Sequence, residues 1–227
     1  MASRRRRNTP TVPPNKAKLP RPADASVPGK ATLEVVDDKA TYAFINVAYT
    51  KSNENLFLAL ISGLSAFGLV AQTAFDSPLK QSQWQRVGEA MSKCQGSFHD
   101  LSSVEHLNMP FELGMAVGIS LSREHRWYVL DTELGRAEKV LSDIKGAQIH
   151  IHDGTPKSIL RAVKDALARD DMPELDEMME IYSSLRSVAD RLLSVDGYTS
   201  LFAPGPYRLL NQKAYKMMRK SLSPPRR

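Results

Sequence analysis

Short, nearly unbroken apolar runs alternate with longer amphipathic ones from residue 41 to residue 169. TYAFINVAYT (41–50) is dense in β-branched and aromatic residues and reads as a buried strand. NLFLALISGLSAFG (55–68) has the length and period of a helix, with Asn53 or Ser52 as its cap and Gly68 as its terminator. LVAQTAF (69–75) is the next strand. SQWQRVGEAMSKC (82–94) follows as a helix with Trp84, Val87 and Met91 on one face, and GSFHDLS (96–102) as a third strand. In NMPFELGMAVG (108–118) a helix is expected from Pro110 to about Leu121, because a first-turn proline lacks only an N–H that has no helical partner. RWYVLDT (126–132), AQIHIHD (147–153) and PKSILRAVKDALAR (156–169) complete strand, strand, helix.

Strands that alternate with helices predict an α/β class: a Rossmann-like (flavodoxin-like), doubly wound, mainly parallel five-stranded sheet with right-handed crossovers. Ligands of such folds bind at the carboxyl edge of the strands. That edge collects Asn46 to Tyr49 after the first strand, Asp76 after the second, Asp100 to Ser103 after the third and Asp131 after the fourth. Past residue 170 the pattern changes. Met178, Tyr182, Leu185, Ala189 and Leu192 form one stripe of a helix over 172–195, which either covers the body of the chain or pairs with a second subunit. GYTSLFAPGPY then reads as a loop and RLLNQKAYKMMRK as a short basic helix. The expected organisation is a basic, Pro-rich disordered arm (1–30), an α/β domain (31–170) and a C-terminal helical extension with a basic tail (171–227).

Charge sharpens this division. Residues 1–30 carry eight basic residues and one acidic, residues 208–227 seven basic and none, which leaves 31–207 at −8 within a chain of net charge +6. The basic ends read first as solvated tails; they are also candidates for holding nucleic acid, anionic lipid or an acidic partner, but they lack the interleaved aromatics of a base-stacking surface. Residues 172–220 are the candidate surface for a homo-oligomer or a protein partner. No apolar run approaches the roughly 20 residues that cross a bilayer, and no apolar segment follows the first basic residues, so neither a membrane span nor a secretory signal is expected. Cys94 stands alone, which rules out an internal disulfide and fits a reducing, cytoplasmic setting with the thiol buried and inert.

Several chemistries lose their usual signatures: there is no G-x-G-x-x-G, Walker loop, paired C-x-x-C, H-E-x-x-H or G-x-S-x-G. His150 and His152 point the same way on a strand, but no third metal ligand is in view, and the pair reads as structural. No cofactor or metal is expected. What remains is FHDLS…NMPFELG. Asp100 and Ser102 lie at a strand end, and Glu112 lies ten residues beyond Ser102, on a helix start that favours its ionised form. Such groups suit a bound sugar: carboxylate and hydroxyl share ribose protons, and a second carboxylate near the anomeric carbon stabilises or attacks an oxocarbenium-like transition state.

FINVAY with its long helix, HDLS, NMPFELG, YVLD and LSDIKG together resemble a bacterial family of small proteins within the superfamily of nucleoside 2-deoxyribosyltransferases and TIR-type NAD glycohydrolases, over about residues 42–169. The glutamate–x–glycine at the start of the NMPFELG helix is the most specific part. The resemblance implies hydrolysis or transfer at the N-glycosidic bond of a nucleoside, a nucleotide or NAD, with these as substrates and not as cofactors. It implies Glu112 as nucleophile or oxocarbenium stabiliser, Asp100 and Ser102 as sugar contacts, and Asn46 and Tyr49 as a wall for base or phosphate; Asp76, Asn108 and Met109 join them as substrate contacts. Related proteins often serve in bacterial antiviral defence. The departure is DLSSVEHLNMP, where classical transferases carry an aspartate-rich run and a Gly-Thr pair, so a nucleotide-binding sensor of the same fold is the alternative.

Overall fold

The computed structural model describes residues 40–76, 81–103, 107–170 and 172–222; the expected arm, 1–30, lies outside them. Five strands, β1 (Thr41–Asn46), β2 (Leu69–Gln72), β3 (Gly96–Asp100), β4 (Arg126–Asp131) and β5 (Ile149–Ile151), pair in parallel in the order β2-β1-β3-β4-β5. Around them lie α1 (Glu54–Ala66), α2 (Gln83–Ser92), α3 (Asn108–Ser120), α4 (Arg136–Val140), α5 (Pro156–Ala166), α6 (Leu175–Ser194) and α7 (Pro204–Leu222). This is the doubly wound α/β sheet that the alternation predicts.

Strands β1 and β2 read as nearly continuous apolar runs because both faces of the sheet are covered. On one face Ala43, Ile45, Phe98 and Leu130 pack against α1 and α5. On the other, Phe44 meets Val87 and Met91 of α2 and Ala116 of α3, while Val129 meets Met109 and Leu113 of α3. Helix α1 is buried from Leu56 to Ser65 without a wet face, because α6 and α7 form a further layer over it. The whole α6 stripe, Met178 to Leu192, is buried in that layer within one chain. Helix α7 runs by the outer edge of β2, where Tyr207 Oη and Asn211 Nδ2 both donate to the Ala71 carbonyl (2.7 and 3.2 Å).

Where the elements differ from expectation, local chemistry gives the reason. Gly68, at φ +81°, ends α1 as expected, but Asn53 caps nothing with its side chain and donates instead to the Ala48 carbonyl (2.9 Å). Helix α3 begins at Asn108, two residues before the expected Pro110. A proline third in a helix is still among the residues whose N–H has no partner, so it does not mark the start uniquely. The same holds for α7, which starts at Pro204 within the expected loop. Helix α4 was not expected at all; it is five residues long, too short to show a period. Among the described residues no helix is long and apolar enough to cross a membrane.

Candidate functional site

Strand order reverses between β1 and β3, and the crevice outside their carboxyl ends is where this class of sheet takes its ligands. Asn46 is the last residue of β1 and stands opposite His99 of β3. Its side-chain nitrogen donates both to His99 Nδ1 (3.0 Å) and to the Met109 carbonyl in the first turn of α3 (3.2 Å). Three elements are thereby tied together at the switch point.

Glu112 comes to this crevice from the second turn of α3. It is 7% exposed. Because α3 starts at Asn108, no acidic residue occupies its first turn, and the helix-end field that would favour ionisation fades over that turn. Burial therefore prevails and pushes the carboxyl up to about 7, opposed by a hydrogen bond from the Asn108 side chain. This corrects the expectation that the helix start favours the ionised form: desolvation outweighs it and pushes Glu112 toward neutrality. Tyr49 lies within electrostatic reach of Glu112 and of the Arg86 guanidinium. Desolvation first, and the Glu112 carboxylate second, raise the phenol above its ordinary range, although 44% of the residue is exposed. Its ring packs on Phe75 and Phe202, with centroids 4.8 and 5.3 Å away.

Asp100 and Ser102 are brought together, but they answer each other. Asp100 accepts from the Ser102 backbone (3.1 Å), from the Ser102 hydroxyl (3.0 Å) and from His152 Nε2 (2.8 Å). The Gly154 N–H donates to His152 Nδ1 (3.1 Å), which leaves Nε2 as the nitrogen that carries the proton toward Asp100. Asp100 shares the sheet face of Phe98, whereas Glu112 rises from a helix packed on the opposite face. Asp131, wholly buried, is likewise satisfied by the backbone N–H groups of Thr132 (2.6 Å) and Glu133 (3.2 Å) and by an ion pair with Arg136.

The predicted residues thus fall into two groups. Asn46, Tyr49, Asn108 and Glu112 gather at the switch point; Asp100 and Ser102 form a hydrogen-bonded turn with His152. Met109 contributes its carbonyl, while its side chain packs with Leu101, Leu113 and Val129. Asp76 closes a short 3-10 turn at the end of β2, and its side chain lies outside the described residues. The sequence reading missed His99 and Ser97, which are fully buried behind Asn46. The signal was available: polar residues at alternate positions of a strand covered on both faces need partners. His150 packs near Tyr128, and no group of His, Cys, Asp and Glu among the described residues has metal-site geometry. Cys94 is buried, its thiol pushed up to about 12 by desolvation.

A cavity of about 360 Å³ opens at the other end of the sheet, lined by Tyr42, Phe67, Phe98, Arg126, Tyr128 and Arg169 among others. None of the switch-point residues lines it, and its walls carry no buried acid or nucleophile, so size alone does not make it the reactive site. Comparison of the chain with protein-family models, with curated proteins and with solved structures finds no match.

Proposed function

We propose that the crevice between β1 and β3 is an N-glycosidase site, acting as hydrolase or transferase on a nucleoside, a nucleotide or NAD. The observation that carries this reading is Glu112, a buried carboxyl pushed up to about 7 at the topological switch point. When ionised, it stands in a site of low polarity where a negative charge stabilises a developing oxocarbenium ion strongly, or attacks the anomeric carbon. The C1′–N bond breaks with its electron pair leaving on the base; water or an acceptor hydroxyl then adds to C1′. A carboxyl that titrates near 7 also suits the proton transfer of that second step. The sequence resemblance to nucleoside deoxyribosyltransferases and TIR-type glycohydrolases supports the same chemistry and suggests antiviral defence as its setting.

The test is incubation of the full chain and of Glu112→Gln with NAD and a panel of nucleosides and nucleotides, following released base by chromatography between pH 6 and 9. The expected result is a rate that rises through about pH 7 as Glu112 ionises, with a loss of at least about a hundredfold in the variant. No base release by either protein, or equal release by both, would sink the proposal.

One observation favours a second reading, a nucleotide-binding sensor that does not turn its ligand over. Asp100 is 2% exposed and already accepts three hydrogen bonds, two from Ser102 and one from His152, which favours a structural part for it over a sugar contact. Ligand binding without base release would select that reading.

A further inference from the structure

The polar chain beneath the crevice has its protons fixed at the Asn46 end. The Met109 carbonyl only accepts, so the Asn46 atom 3.2 Å from it is the amide nitrogen. The same nitrogen lies 3.0 Å from His99 Nδ1, which therefore carries a lone pair and leaves the ring proton on Nε2. His99 Nε2 donates to Ser97 Oγ (2.8 Å), and the single hydroxyl proton of Ser97 goes on to His125 Nε2 (3.0 Å). His125 Nδ1 then donates to the Cys94 carbonyl (3.2 Å). The Arg123 guanidinium approaches Nδ1 only to 3.4 Å and donates instead to the Cys94 and Met91 carbonyls (2.8 and 3.1 Å). A backbone carbonyl closes the chain at each end. Burial holds His99 neutral, pushed down to about 3.

Both directions in which the Asn46 amide group can donate are thus taken up inside the protein. What is left is Oδ1, on a residue 1% exposed, with no hydrogen-bond partner among the described residues. Rotation of the amide to offer an N–H would break two buried bonds and place two acceptors against its oxygen, an arrangement that leaves polar atoms unsatisfied. We infer that His99 is a positioning residue that locks Asn46 as a hydrogen-bond acceptor at the floor of the crevice, so that the ligand brings a donor there, a sugar hydroxyl or a base N–H, and not a phosphate or carboxylate. This rests on the crevice being a ligand site, as proposed above, but not on turnover.

Four probes, adenosine, purine riboside (no amino group), 2′,3′-dideoxyadenosine (no ring hydroxyls) and NAD, are titrated calorimetrically into the full-length wild type and into Asn46→Leu, His99→Leu and His99→Asn. In the wild type, loss of the donor that Asn46 reads is expected to weaken binding by about tenfold, the cost of leaving a buried acceptor unmet. The purine riboside and dideoxy arms tell base N–H from sugar hydroxyl. The discrimination is expected to vanish in Asn46→Leu and His99→Leu and to return in part in His99→Asn, which keeps an acceptor where Nδ1 stood. Independently of any ligand, nitrogen NMR of the imidazoles is expected to show His99 as the neutral Nε2–H tautomer from pH 8 to pH 4. Equal discrimination in wild type and variants, no discrimination in the wild type, an Nδ1–H tautomer, or failure of every probe to bind at millimolar concentration would overturn the inference. Preserved discrimination without base release would leave it standing while the glycosidase reading fell; base release with unchanged discrimination in His99→Leu would do the reverse.

Discussion

Replacing Glu112 by glutamine is expected to make the protein more stable, and only at neutral to alkaline pH. Glutamine keeps the shape and the hydrogen bond to Asn108 but removes a charge that burial penalises. The carboxyl titrates at about 7 in the folded chain against 4.5 when exposed. Between those values the folded state holds a proton that the unfolded state has lost, so stability falls as pH rises through the window and is fully reduced above pH 7. At 1.36 kcal/mol per pH unit the difference amounts to about 3 kcal/mol at pH 8 and to almost nothing at pH 4. For a body of this size that corresponds to a rise of about 6–12 °C in Tm at pH 8. Urea titrations of both proteins at pH 4, 6 and 8 measure it, since every other titrating group is shared and drops out of the comparison. An offset that is the same at pH 4 and pH 8, or a variant less stable at pH 8, would show that the carboxylate is hydrated or paired, and the chemical case for Glu112 would go with it. A gain in stability accompanied by loss of base release is the pattern expected of a reactive group held at a structural cost.

Other outcomes follow from single contacts. The charge on His99 forms near pH 6.5 in the unfolded chain and near 3 in the folded one. Stability is therefore complete above pH 6.5 and declines as pH falls toward 3, by up to about 1.4 kcal/mol per pH unit; His99→Asn lacks that component, and parallel urea midpoints for the two proteins from pH 7 to 4 would contradict it. His152→Ala removes a donor from buried Asp100 and is expected to cost about 1–3 kcal/mol with base release intact; lost activity at intact stability would instead put Asp100 at the substrate. Gly96→Ala sets a Cβ 2.5 Å from the Arg126 carbonyl oxygen of the neighbouring strand, a clash expected to cost about 1–3 kcal/mol in thermal unfolding.

The five strands, the longer helices and their order along the chain were legible because each rests on a period of two or 3.6 over enough residues to be seen, and the carboxyl edge of the sheet follows from that order; α4, at five residues, was too short to show one. Glu112 stood out for a sound reason, a carboxyl among Phe111, Leu113, Met115 and Ala116, but its protonation did not follow from the sequence. That depended on whether α3 began at Asn108 or Pro110, a shift of half a turn that moves the carboxyl beyond the helix-end field. Asp100 and Glu112 are near in sequence and looked convergent; strand alternation sends them to different faces, and the partner that completes Asp100, His152, lies 52 residues away on the far side of β4. Pairings of that separation leave no local pattern. His99 was hidden differently: read as one polar residue in a short strand, it becomes meaningful only when Asn46 is seen opposite it.

The hydrogen bonds from Tyr207 and Asn211 to the Ala71 carbonyl give α7 a role that reaches beyond its own packing. They occupy the rim where a foreign strand would otherwise add to β2, while the opposite rim, β5, has three residues and little backbone to offer. A chain cut before residue 204 would keep its candidate catalytic groups yet expose one flank as a template for self-association, so that clumping, not unfolding, is the first defect to look for.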